Sequence, residues 1–145
     1  MKRYQALFLG IAALAAPANA ASEQFNLLCT GTMTETSTFS PDKASQYQKE
    51  FRIDLASGRW CEGECKRPSN FATVEADRLV FIDHEDETKT LDSRSLEMVD
   101  RTTGKHSSYV MVIAYGRQKL TSSSVSEGDC EIRPFSGFPE VVTKF

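Results

Sequence analysis

Polar and apolar residues alternate with period two from Tyr47 to Leu55. Tyr47, Lys49, Phe51, Ile53 and Leu55 fall on one parity, and Gln48, Glu50, Arg52 and Asp54 on the other. Apart from Lys49, this is the pattern of a strand with one wet face. Ala56-Ser57-Gly58 breaks the run, and a second short strand follows with the single tryptophan, Trp60, beside Cys61. The stretch predicts a β-hairpin whose far end is closed by Cys61 with Cys65.

The rest of the chain predicts further strands laid beside this hairpin. Phe25, Leu27, Cys29 and Met33 share one face of a first strand. Phe71–Glu75 is a short strand. In Arg78–Asp83 the apolar residues Leu79 to Ile82 are contiguous, which suits a strand covered on both faces. Thr90–Arg101 has no clean apolar parity and predicts a strand at an edge or facing a polar interior. His106–Tyr115 is a clear strand centred on Val110 to Ile113, and Leu120–Val125 is a Ser/Thr-rich one. Thr34–Gln46 reads as a long exposed loop, His84–Glu87 as an acidic loop tip, and Glu127-Gly128-Asp129 as a turn into Cys130. The tail after Cys130 carries Phe135, Phe138 and Phe145. No helical period appears after the first twenty residues. The whole predicts an all-β fold, an antiparallel up-and-down meander of about eight strands, closed as a small barrel or folded as a sandwich.

The amino-terminal residues stand outside that pattern. Lys2 and Arg3, an apolar run from Ala6 to Ala16, and Ala18-Asn19-Ala20 form the three regions of a cleaved secretory signal peptide, residues 1–20. Residues 21–145 then make one β domain and contain no run long enough for a membrane helix. Without Lys2 and Arg3, 15 basic residues face 20 acidic ones, a net charge of −5. This acidity argues against a nucleic-acid partner, whose phosphates need Lys and Arg.

Export changes the meaning of the four cysteines. An even count in an oxidising compartment predicts disulfides. The pairs expected are Cys61–Cys65, across one turn, and Cys29–Cys130, tying the first strand to the last. Cys-x₃-Cys lacks the partner pair of a zinc site and is one residue too long for a redox motif.

Candidate chemistry is sparse. His84, Glu85, Asp86 and Glu87 are the densest set of potential ligands, but they follow neither an EF-hand nor a zinc-protease spacing and suit a solvated turn. No Gly-x-Ser-x-Gly, phosphate loop or dinucleotide fingerprint occurs. No catalytic residue, metal ligand or cofactor is assigned. Trp60, Tyr47, Tyr109 and Tyr115 are the candidate binding residues, since aromatics make good pocket walls, although the same side chains would also fill a small core. The outline resembles the small exported β-proteins of Gram-negative envelopes, a resemblance that assigns no site residue. The expected function is therefore that of a non-catalytic, periplasmic or secreted β-module binding a protein or envelope partner. A barrel carrying a small apolar or sugar ligand is the alternative, and a hydrolase ranks third.

Overall fold

The computed structural model describes residues 23–139; the proposed signal peptide and Phe145 lie outside the described residues. Nine antiparallel strands form a single sheet: β1 (Gln24–Ser37), β2 (Ser40–Asp54), β3 (Arg59–Glu62), β4 (Ser69–Asn70), β5 (Thr73–Val74), β6 (Arg78–Glu87), β7 (Leu91–Asp100), β8 (Lys105–Tyr115) and β9 (Lys119–Arg133). The all-β, antiparallel expectation holds. The sandwich does not, because there is one sheet, and closure is only partial: the sheet curls into a half-barrel.

Its topology explains why closure is partial. The order is β4-β3-β2-β1-β9-β8-β7-β6-β5, so strands adjacent in sequence are adjacent in space and the last strand pairs with the first. Every ladder is antiparallel. Following directions round the sheet from β1 makes β4 and β5 run the same way. They are two halves of one stave, Ser69–Val74, which pairs first with β3 and then with β6. Counted so, the expected eight staves are present. This stave and β3 are short, so the ring is bridged only at one end. Beyond it, among the described residues, the outer edges of β2 (41–49) and β6 (82–87) have no paired strand.

The core fills the bridged end. Leu27, Cys29, Phe51, Ile53, Trp60, Leu79, Phe81 and Val99 form it. Phe51 of β2 stacks on Phe81 of β6 with ring centroids 4.5 Å apart, and Trp60 lies 4.9 Å from Phe81. These rings join strands that are not neighbours in the sheet, so they hold the curl. Phe81 sits at a register shift between Val80 and Ile82. This bulge lets Phe81 and Ile82, consecutive in sequence, both lie on the inner side. It accounts for Phe81 and Ile82, whereas Leu79 and Val80, on opposite faces with no shift between them, are both buried, as expected of a strand covered on both sides.

Strands β1 and β9 approach most closely at Gly31 and Gly128, which are register partners. A Cβ on Gly128 would lie 2.2 Å from the Thr30 carbonyl oxygen and 2.5 Å from Tyr47 Oη. No side chain fits there. Cys29 and Cys130, the next inward-facing pair, are bonded with Cα atoms 4.0 Å apart, and Cys61 is bonded to Cys65. Both expected pairings are present.

Three expected loops are strand instead. Thr34–Gln46 is the far half of a β1–β2 hairpin, His84–Glu87 ends β6, and Glu127–Asp129 runs inside β9. The first two lack apolar alternation because they lie where the sheet has no core to face; in the third, the inward position is Gly128, where the close approach of β1 leaves no room for a side chain. Strand β7 is not an edge strand; it faces the polar interior, the other expected setting.

Removing the long-range disulfide should be costly because it closes a loop of 101 residues. Replacing Cys29 and Cys130 together by Ala is expected to lower the unfolding free energy by about 4 kcal/mol. Urea titration of the oxidised proteins checks this, and a loss below about 1 kcal/mol would contradict the cross-strand role.

Candidate functional site

Above the aromatic core the interior turns polar. Lys49 and Tyr47 point inward from β2, Glu97 from β7 and His106 from β8. Lys49 Nζ lies 2.5 Å from Glu97 Oε1 and 3.5 Å from Glu62 Oε1. His106 is 1 % exposed; its Nε2 lies 3.1 Å from Glu97 Oε1 and its Nδ1 lies 2.7 Å from Tyr47 Oη. These four groups span the curl from β2 to β7 and β8 and clamp it above the ring stack.

Electrostatics fixes the roles within this layer. Burial would raise the Glu97 carboxyl, but hydrogen bonds and charge from His106 and Lys49 outweigh it and hold the group below its ordinary value. Burial would lower Lys49, but Glu97 raises it on balance. Tyr47 is raised by burial and by the carboxylates of Glu97, Asp129 and Glu127, so it keeps its proton. In the neutral imidazole, Nε2–H donating to the carboxylate leaves Nδ1 to accept from the Tyr47 hydroxyl. The order hydroxyl, imidazole, carboxylate is that of a hydrolytic relay. Here the imidazole is sealed from solvent, and the set ties β2 to β7 and β8 across the concavity. The arrangement is a structural clamp.

Beyond the clamp the curled sheet opens into a trough. Val110 and Val112 of β8 form its midline. Ser93 and Ser95 of β7 flank them on one side, and Ser122 and Ser124 of β9 on the other. Val110 is 38 % and Val112 36 % exposed. The opposite face of the same strands carries Leu96, Tyr109 and Val125 in one cross-strand row, with Met111 and Ile113 beside them. Val125 is 41 % exposed, and the other four are half-buried. Strand β8 therefore has an apolar centre on both faces and, among the described residues, a covering layer on neither. The lip beside it is acidic, with Asp83, Glu85, Asp86 and Glu87 on β6 and Asp92 on β7; Arg94 pairs with Asp83 and Glu85.

The aromatic candidates separate. Trp60 is in the core, with Nε1 donating to the Asn70 carbonyl, so it anchors the crossing stave. Tyr47 belongs to the clamp. Tyr109 lies on the opposite face, its hydroxyl 3.0 Å from Met111 Sδ, and Tyr115 donates to Asp92 near the end of β8. They do not line one common pocket. His84 to Glu87 gather no metal set: no group of three His, Cys, Asp or Glu side chains converges among the described residues. Glu97 was not singled out in sequence, and the one available signal was Lys49, a cation on an otherwise apolar parity that needs an inward anion.

The chain matches no protein-family model, no curated protein and no solved structure. The fold and its sites thus define the protein as an all-β half-barrel stapled by two disulfides. Disulfides suit an extracytoplasmic setting. No helix among the described residues is long and apolar enough to cross a membrane.

Replacing Glu97 by Gln removes the anion shared by Lys49 and His106. The expected loss is about 3 kcal/mol at neutral pH, read by urea unfolding. The pH dependence has a definite sign. The folded-state value of Glu97 is depressed, so its contribution is complete above the ordinary 4.5 and is lost as pH falls through the folded value. That of Lys49 is raised, so its contribution is complete below the ordinary 10.5 and is lost as pH rises through the folded value. Thermal midpoints of the wild type should fall at both extremes, and Glu97→Gln should blunt both slopes. Parallel curves for the two proteins would contradict the clamp.

Proposed function

We propose that this protein is a non-catalytic, exported binding module that docks a partner protein on the uncovered half of its curled sheet. The observation that carries this reading is β8, whose central residues are apolar on both faces and solvent-exposed at Val110 and Val112. Sheets bury their apolar faces against another layer, and this half of the sheet has none among the described residues. Rows of serine beside the valines offer hydroxyls for hydrogen bonding around an apolar centre, the usual anatomy of a docking surface. The acidic lip on β6 and β7 favours a partner with a basic flank and disfavours an acidic one.

The test is site-specific. A photo-crosslinking side chain at Val112 in the exporting cell should yield one discrete adduct with a second protein species. The same group at Ser57, on the hairpin tip beneath the core, should yield none. Val112→Asp should weaken capture of the protein identified by that adduct while changing unfolding free energy by less than about 1 kcal/mol, because Val112 is a surface residue. Labelling at Ser57 but not at Val112 would overturn the reading. So would an adduct made only of two copies of this chain.

A further inference from the structure

The bridged end of the half-barrel carries a second apolar opening, on the far side of the core from the trough. Leu27, Leu79 and Val99 form its floor, and Phe25, Leu55 and Ile132 its walls, around a cavity of about 650 Å³. That volume falls within the range of small-molecule sites. Phe25 and Ile132 also border an adjoining depression that runs on to Pro134 and Phe135. Ile132 is 77 % exposed, although it faces inward opposite the buried Leu27. The floor is sealed by the core, so the cavity ends blind.

Polar groups around the mouth are occupied by the fold. Asp100 Oδ1 accepts from the Thr102 amide at 2.8 Å, the Thr102 hydroxyl at 2.6 Å and the Thr103 amide at 2.9 Å. These bonds hold its carboxyl at about 2, so it is ionised at any ordinary pH. Arg101 donates its backbone amide to the Asp77 carbonyl and its guanidinium to the Glu75 carbonyl. The Gly104 amide donates to the Asp100 carbonyl. The lip thus holds the carboxylates of Glu23 and Asp100 against the single cation Arg101. Its net negative charge disfavours an anionic head group.

We infer that this cavity binds a small neutral apolar molecule, such as an aliphatic alcohol or ester. The apolar floor and walls select hydrocarbon, and the negative lip selects against a fatty-acid carboxylate. The site stands on residues that the docking face does not use, so it holds or fails independently of the partner.

The exported protein with both disulfides intact is titrated with the neutral apolar dye N-phenyl-1-naphthylamine, and 1-decanol is added as competitor. Dye fluorescence should rise on binding and fall with decanol. Decanoate should compete at least about tenfold less well, a difference of about 1.4 kcal/mol. Amide resonances that shift with decanol should centre on Phe25, Leu55, Val99 and Gly104. Ile132→Arg, which alters an exposed side chain, should weaken dye binding by at least about tenfold. Val112→Arg, in the trough, should leave it within about twofold. No fluorescence rise, decanoate binding as tight as decanol, or shifts confined to β8 with Val112→Arg abolishing binding would each overturn the inference.

Discussion

The fold depends on one close approach, that of β1 to β9. These are the first and last of the described strands, and only at this pairing does a meander become a curl. The approach is possible because Gly31 and Gly128 carry no Cβ where Thr30, Glu127 and Tyr47 crowd together. One step further along, Cys29 and Cys130 make the same ladder covalent. The aromatic stack of Phe51 on Phe81 and the ion cluster of Lys49, Glu97 and His106 then act across the concavity that this pairing creates. Without it, β2 would not face β6, β7 or β8.

Partial closure is the consequence that matters for function. A single stave, Ser69–Val74, crosses the seam at one end, where its Phe71 packs against Trp60 and Phe81. Past that point nothing in the described chain bridges β2 and β6. The interior is therefore layered: an apolar mouth, an aromatic core, a charged clamp and an open trough. The clamp suits the boundary because a charged layer there can be satisfied internally while the residues beyond it meet water. The edges left free are themselves guarded. Charged residues run along β6 from Asp83 to Glu87, and Pro41 and Lys43 stand on β2, a pattern that discourages indiscriminate strand pairing.

What the sequence made legible follows the same division. Phe51 and Ile53 alternate with Glu50, Arg52 and Asp54 because they face a filled core, so their strand could be read directly. The pairing of Cys29 with Cys130 was one of three connectivities open to four cysteines, preferred because Cys61 and Cys65 lie one turn apart, and the structure shows it. Thr34–Gln46 and His84–Glu87 were not readable as strands, since strands with water on both sides show no period. Val110 to Ile113 were readable as the centre of a strand, but their being left half uncovered was not, because local apolarity does not record whether a covering layer exists. Glu97 was hidden because its partners Lys49 and His106 come from other strands, and Lys49 lies 48 positions away in the chain. Local spacing does not record such a meeting.

Residue-resolved amide hydrogen exchange tests the half-barrel most directly. Amides of Leu27, Phe51, Ile53, Leu79 and Val99 should be the slowest to exchange, because they open only with the whole fold. Outward-facing amides of β6 between residues 82 and 87, and of β2 between residues 42 and 48, should exchange orders of magnitude faster than those in the β1–β9 ladder. If the free chain instead protected both of these edges as strongly as the β1–β9 ladder, the seam would be closed and the uncovered half-sheet would not exist.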